Sequence, residues 1–456
     1  MSITRASQYL DYAKSAREEI FQHINQPLWH HKSLKDVSKV VIILSSPRSG
    51  SSLLFHLLSH TEQLLSLNGE HTTYYKLNGY SFPFRNFQSD CLDNPKISKS
   101  DLNNFYRNFL SSVGVGSEDV ISRPEKLKNF TQLMALTLPM QWPQLDISAE
   151  QWLWYIAEAC RQYFHEHSTW NSSSFPIDIL KLLLINNPGL NPFYYDIKLS
   201  LLKSHFPNIS YPKAPPNPHF CIEEPPFIVI KPRRRPTSEE ISSKPWLLKA
   251  SIDAFRLPLL KHLFPNAEFK IIHLTRFPAT SINGLYDGWS HRGFFSHNLE
   301  GIAKLAISGY SDLYEWGKHW WNYELPPQWK KVINQPLEYV CCFQWSSPHQ
   351  VILESLAQEK KNNILRVKFE DIISSSQQRL LTIGRILEFI GIGEDKDLKR
   401  VVDEMQPVRC SVPADETRWL NRKSLILPVI NQKSIRQLTN ELGYENRETS
   451  LLTSCI

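Results

Sequence analysis

The stretch Ser45-Ser46-Pro47-Arg48-Ser49-Gly50-Ser51-Ser52 sets one fixed positive charge, five hydroxyls and one glycine between the apolar runs "VVIIL" and "LLFHLL". A strand that turns through Gly50 into a helix leaves the N–H groups of the first helical turn unpaired. The helix dipole adds partial positive charge at the same place, so the turn can hold an anion. Ser49, Gly50, Ser51 and Ser52 expose those N–H groups without bulk, and Arg48 adds a forked guanidinium suited to phosphate or sulfate. Aligned on Gly50 with the nucleotide triphosphatase loop G-x-x-x-x-G-K-[ST], the first glycine becomes Ser45 and the lysine becomes Ser51, while the hydroxyl of Ser52 is kept. The loop suits a phosphate-like group better than a triphosphate with its metal. A serine-rich turn that only caps a helix is the other reading.

Strand and helix signals around this loop predict where it sits. Residues 39–44 read as a buried strand, 51–60 as a helix and 64–70 as a short extended segment. After a long middle region the rhythm resumes. "WLLKAS" (246–251) is extended, Phe269–Leu274 is a second buried strand, and a helix begins near Ala279. "NILRVKFEDIISSSQQRLLTIGRILEFIGI" reads as a strand and then a serine-capped helix, with Leu380, Leu381, Ile383, Ile386, Leu387 and Ile390 facing inward. Residues 3–24 and 149–164 also carry helical spacing, and Tyr211–Pro236 is proline-rich loop. Strands alternating with helices predict an α/β fold, a parallel β-sheet flanked by helices, with ligands at the carboxyl ends of its strands. We expect one domain over 1–456, with a core of 36–71 and 244–445. The mostly helical and loop segment 72–243 is expected to be an insertion into that core.

Composition narrows the function classes. The chain has 456 residues, 41% hydrophobic and 21% charged, which is ordinary for a globular protein. A net charge of +6 suits a small anionic ligand as well as a weak nucleic-acid contact, and no nucleic-acid partner is expected. Arg233-Arg234-Arg235 reads first as a solvated turn and second as an anion site. Seven cysteines without C-x-x-C spacing predict reduced thiols and no structural zinc. The amphipathic N-terminus and the lack of a long apolar run predict a soluble, cytoplasmic protein with no membrane span.

Several segments, in order, resemble the sulfotransferases that use 3′-phosphoadenosine 5′-phosphosulfate (PAPS), in their bacterial, soluble, P-loop-like form. "SSPRSGSSLL" resembles that family's 5′-phosphosulfate loop. "FPNAEFKIIHLTRFPATSINGL" resembles its second element, a strand ending in Arg-x-Pro before a helix. "ILRVKFEDI...LEFIGI" resembles the late strand-helix unit, and "DETRWLNRKSLILPVI...ELGY" the closing segment. The resemblance spans roughly half the chain at motif level. It implies that Arg48, Ser49, Gly50, Ser51 and Ser52 hold the phosphosulfate and that Arg276 holds the 3′-phosphate. A serine usually stands eight positions beyond that arginine. Here the position is Gly284, and Ser281 is the nearer hydroxyl. Arg418 and Arg422 are further cofactor candidates, with Trp419 packing either on the adenine or in the core.

Sulfuryl transfer needs a donor held by both phosphates, charge neutralised on the bridging oxygen, and a proton taken from the acceptor hydroxyl or amine. The first two tasks are electrostatic and suit Arg48, Lys249 and Ser52 without requiring a metal. Some members of the family carry a base, His, two residues after the lysine; here Ser251 stands there. Glu70 is the expected base, with an ion pair to a cation as its other reading, and His71 is second choice. Trp289, His291, Phe294 and His297 either wall an acceptor pocket with hinges at Gly288 and Gly293, or pack a loop on the core. Glu223 and Glu224 either bind a cationic acceptor or lie in a solvated turn. The insertion at 72–243 is expected to form the acceptor-binding region, and the acceptor could be a small molecule, carbohydrate, lipid or peptide. An ATP- and magnesium-dependent phosphotransferase and a non-catalytic nucleotide-binding protein are the rival functions.

Overall fold

Val40 to Leu44 are apolar without a break, so the strand they form must be covered on both faces. A computed structural model describes residues 3–24, 33–86, 88–92, 96–116, 124–168, 174–212, 214–290, 294–393, 395–403 and 415–445, and all five of these side chains are buried in it. The strands are β1 (Lys39–Leu44), β2 (Leu65–Leu67), β3 (Val113–Val115), β4 (Trp246–Leu248), β5 (Glu268–Thr275), β6 (Phe295–Asn298), β7 (Trp320–Asn322) and β8 (Ile364–Lys368). Six form one sheet in the order β3-β2-β4-β1-β5-β8, and β6 pairs with β7 separately. β1 is central: Val40 lies opposite Trp246 on one side and Phe269 on the other. Every pairing in the main sheet is parallel except β2 with β3.

The pleat splits the apolar residues between two layers. Val40, Ile42 and Leu44 pack with Trp246, Leu248 and Ile271, covered by Phe105 and Phe109 of the Lys99–Ser112 helix and by the Leu257–Leu263 helix. Val41 and Ile43 pack with Leu247 and Ile272, covered by the Ser51–Leu58 and Ser376–Ile390 helices. The latter helix is serine-capped as expected: Ser375 Oγ accepts from Gln378 N at 3.1 Å. Leu381, expected inward, is instead 63% exposed. It falls on the helix face turned from the sheet, while Ile383, Ile386, Leu387 and Ile390 fill the buried face.

The middle region is mostly helical. Its helices Pro124–Gln141, Ala149–Glu166 and Phe175–Asn186 enclose a separate core around Trp142 and Trp152. It also supplies β3, whose antiparallel pairing with β2 closes one edge of the main sheet. Arg233 ties that edge together. Its guanidinium donates to Gly116 O at 3.0 Å, Ser66 O at 2.9 Å, Ser66 Oγ at 2.8 Å and Gly114 O at 2.9 Å. Arg234 donates to both carboxylate oxygens of Glu240 at 2.9 and 2.8 Å. The solvated turn expected for this basic run is therefore a structural clamp: carbonyls splayed at a short strand pair need a multidentate donor, and arginine is one. Among the described residues, no helix is long and apolar enough to cross a membrane.

Candidate active site

A parallel sheet brings the carboxyl ends of its strands to one edge. β1 delivers Ser45–Ser52 there, β2 Glu70, β4 Lys249, β5 Arg276 and β8 Phe369. Residues spread over more than three hundred positions of sequence thus share one crevice because their strands run the same way.

The loop is tightly made. Gly50 has φ 88°, in the left-handed region, and a Cβ there would fall 2.0 Å from the Phe369 ring. Only glycine fits the turn that opens the Ser51–Leu58 helix. Arg48 also has a positive φ of 61°. Ser46 Oγ and Ser49 Oγ are 2.7 Å apart and buried, while Ser45 Oγ is buried without a hydrogen-bond partner. Beside the loop runs the Pro278–Ser290 helix, where a Cβ on Gly284 would lie 3.5 Å from Arg48 Cβ.

Cations surround the cradle. Lys249 is buried; its Nζ donates to Ser52 Oγ at 3.0 Å and forms an ion pair with Glu70. Arg276 Nη1 donates to Arg48 O at 2.9 Å, and its guanidinium lies 4.9 Å from the Phe369 ring centre. Burial lowers its pKa to about 10 against the partial compensation of Glu370, so Arg276 keeps its charge at neutral pH. Arg48 sits 5.4 Å from the ring centre of Phe294. Ser281 Oγ, in the first turn of the helix after Arg276, is buried without a partner. Farther along the edge, Arg418 and Arg422 both pair with Asp287, at 2.6 and 2.8 Å, and Arg422 also donates to Asn283 Oδ1 at 2.6 Å.

Other expected site residues lie elsewhere. His71 is fully buried, with its Nε2 2.9 Å from Asp253 Oδ1 and its ring against Tyr75 and Phe109. Trp419 is fully buried beside Phe277, which matches core packing. Trp289 is buried and donates to Gln344 Oε1 at 2.7 Å. His297 is buried with Nε2 3.1 Å from Asp90 Oδ2. Of the aromatic cluster, Phe294 alone is placed beside Arg48 among the described residues; His291 and Gly293 lie outside them. Gly288, expected as a hinge, lies inside a continuous helix, where a Cβ would fall 1.6 Å from Tyr323 Oη. It is a contact glycine. Glu223 accepts from Gln141 Nε2 at 3.0 Å, and Glu224 pairs with Lys76 at 2.6 Å, so both belong to networks rather than to a solvated turn.

Three residues at this edge were missed in the sequence. Phe369 backs the glycine turn, and Tyr323 and Glu324 approach from the segment after β7. The available signal for Glu324 was a lone carboxylate inside the aromatic and apolar run "WWNYEL". Its burial pushes the carboxyl up to about 8.

No protein-family model and no curated protein matches the chain. Among solved structures it is similar to a sulfotransferase domain from the curacin biosynthetic pathway, at 14% identity over 90% of this chain and 99% of that one, with a TM-score of 0.38. It is also similar to a sulfotransferase domain from the Synechococcus PCC 7002 olefin synthase, at 13% identity over 91% of this chain and 97% of that one, TM-score 0.34. A third similarity is to the sulfotransferase STF1 of Mycobacterium tuberculosis H37Rv, at 12% identity over 91% and 81%, TM-score 0.35.

Proposed function

We propose that the chain is a sulfotransferase that moves a sulfuryl group from PAPS to a hydroxyl or amine of an acceptor. The observation that carries this reading is the meeting of Lys249 Nζ with Ser52 Oγ, at 3.0 Å, on the first turn of a helix opened by a glycine whose Cβ space is filled. A buried ammonium at a helix N-terminus, with no lysine inside the loop, suits a bridging oxygen that gains charge as the terminal sulfuryl group leaves it.

The residues present fit a donor bearing two phosphate esters. The cradle has no room for a side chain at Gly50, Ser45 and Ser281 keep buried hydroxyls without partners, and the surrounding donors are arginine, lysine and serine. Arg48, Ser49, Gly50, Ser51 and Ser52 would hold the 5′ side, and Arg276 with Ser281 the 3′-phosphate. Arg418 and Arg422, now sharing Asp287, would join the 3′ side. The donor supplies an activated sulfur–oxygen bond. Lys249 and Arg48 would offset the charge that develops on the bridging oxygen. Glu70, expected from the sequence to act as base, is joined to Lys249, and we assign it the orienting of that ammonium towards Ser52.

Titration calorimetry with adenosine 3′,5′-bisphosphate tests the reading. We expect micromolar or tighter binding, weakened at least tenfold by Arg48→Ala or Arg276→Ala, since charge-assisted bonds to an anion contribute about 1.5–3 kcal/mol each. Absence of binding by the folded protein, or tighter binding of ATP with magnesium, would overturn it.

A further inference from the structure

The turn after β7 brings two side chains to the same edge that the phosphate cradle does not use. Tyr323 has φ 62°, a left-handed conformation that a bulky side chain rarely adopts, and such strain persists where surroundings enforce it. The enforcement is visible. Trp321 Nε1 and Gln344 Nε2 donate to Glu324 O at 2.8 and 3.2 Å. Leu325 N donates to Asp90 Oδ2 at 2.7 Å, and Asp90 N donates to Leu325 O at 2.8 Å. The Tyr323 ring stacks on Phe294 at 4.9 Å, and Phe294 is the ring beside Arg48.

Glu324 follows directly. It is 6% exposed, its Oε2 has no hydrogen-bond partner, and the Ser251 side chain lies close enough to oppose its protonation. Ser251 stands two residues beyond Lys249, and the intervening Ala250 is extended at φ −144° and ψ 143°. Lys249 and Ser251 therefore project to the same side of the chain. A buried carboxyl with an open oxygen is costly to fold, above all once it is ionised. Groups kept against stability in a ligand crevice are the ones to examine for chemistry.

We infer that Glu324 receives the acceptor's proton during transfer, by way of the Ser251 hydroxyl, with Tyr323 as the residue that positions it; this rests on the sulfuryl-transfer reading above. As the acceptor oxygen bonds to sulfur, the bond from sulfur to the bridging oxygen breaks and its electron pair leaves with the bisphosphate. The acceptor's proton passes to Ser251 Oγ, and the proton of Ser251 passes to the Glu324 carboxylate, which becomes a carboxylic acid. Burial is the main cause that raises the affinity of Glu324 for a proton, helped by the charges of Glu224 and Asp90. Ser251 and a backbone N–H oppose it. Those two acids are themselves engaged, Glu224 by Lys76 and Ser296, Asp90 by Arg256 and His297. A base that titrates near the working pH is the effective kind.

The test compares wild type, Glu324→Gln and Ser251→Ala by bisphosphate titration, infrared difference spectroscopy and bisphosphate release from PAPS with water as acceptor. We expect a protonated-carboxyl band that titrates near pH 8 in wild type and is absent from Glu324→Gln. That variant should bind the bisphosphate as wild type does, release it at least ~100-fold more slowly, and lose the rise of rate with pH. It should also melt higher than wild type at pH 8. The folded pKa is raised above the ordinary 4.5, so wild-type stability is lost as pH rises from about 4.5 to 8. Ser251→Ala should slow release while keeping the band, and it carries the kinetic test should Glu324→Gln fail to fold. Wild-type rate and pH profile in either variant, or no titrating band in wild type, overturns the inference alone. No bisphosphate binding by folded wild type overturns the sulfuryl-transfer reading and this inference with it.

Discussion

Lys249 Nζ lies 3.0 Å from Ser52 Oγ, so the end of β4 is bonded to the first turn of the helix that follows β1. Two neighbouring parallel strands thereby share one cation at their carboxyl ends, and Glu70 at the end of β2 completes the row.

Lys249→Met should therefore lower turnover far more than bisphosphate affinity. Loss of one preorganised charge at a leaving group costs about 10²–10³ in rate. Glu70→Gln should cost only about tenfold, by loosening the ammonium, and leave the pH profile in place. A loss for Glu70→Gln as large as for Lys249→Met, with a flattened profile, would return the base to Glu70. Steady-state release of the bisphosphate across pH 6–9 separates the two.

Gly50→Ala should destabilise the fold and abolish binding. The turn requires φ 88°, and the new methyl would enter the Phe369 ring. Strain and overpacking each cost about 1–3 kcal/mol. Phe369→Ala alone should cost about 3–5 kcal/mol, since the ring is buried in the core; it also removes the clash, so the double variant should lose less stability than the two single losses added together. Strictly additive losses would show that the ring is not the obstacle.

Acid should weaken the fold through a buried histidine pair. His273 Nε2 and His349 Nδ1 are 3.0 Å apart, and His273 Nδ1 and His349 Nε2 have no partner. Burial holds His349 down at about 3, and burial with the adjacent His349 and Arg366 holds His273 well below the ordinary 6.5. A base with a depressed folded pKa binds more protons when unfolded. Stability is then complete above about 6.5 and is lost as pH falls below it. Each unit is about 1.4 kcal/mol, so a few kcal/mol should vanish between pH 7 and pH 4. His349→Gln should shrink that loss in thermal melts; an unchanged slope would assign the effect to other groups.

Arg233→Met should cost about 3 kcal/mol or more in denaturant unfolding, because four acceptors at the β2–β3 edge lose a charged donor at once. Bisphosphate affinity of the folded fraction should stay within about twofold, since none of the four acceptors belongs to the cradle.

Legibility in the sequence followed the range of the interactions. β1 was readable to the residue because an unbroken apolar run has one stable environment, and the turn at Gly50 because a glycine between strand and helix has a local cause. The strands bearing Lys249 and Arg276 carried the same local pattern. β3 was not legible. Three residues, Val-Gly-Val, have no period, and only the pairing with β2 makes them a strand. Arg233 looked solvated because its four acceptors are backbone carbonyls and a serine hydroxyl more than a hundred positions away. Glu324 was hidden for the same reason: Ser251 and Asp90 reach it only in three dimensions.

The edge strand contributed by the middle region has a bearing on engineering. β3 pairs with β2 from within the 72–243 segment, and Arg233, near the end of that segment, bonds to both β2 and the β3 end. The segment is stitched to the scaffold at its interior, not only at its two ends. Exchanging it whole as a cassette would unzip the sheet beside Glu70. Grafts that keep residues 99–116 and 233–240 in place, and replace only the helices between, leave that seam closed.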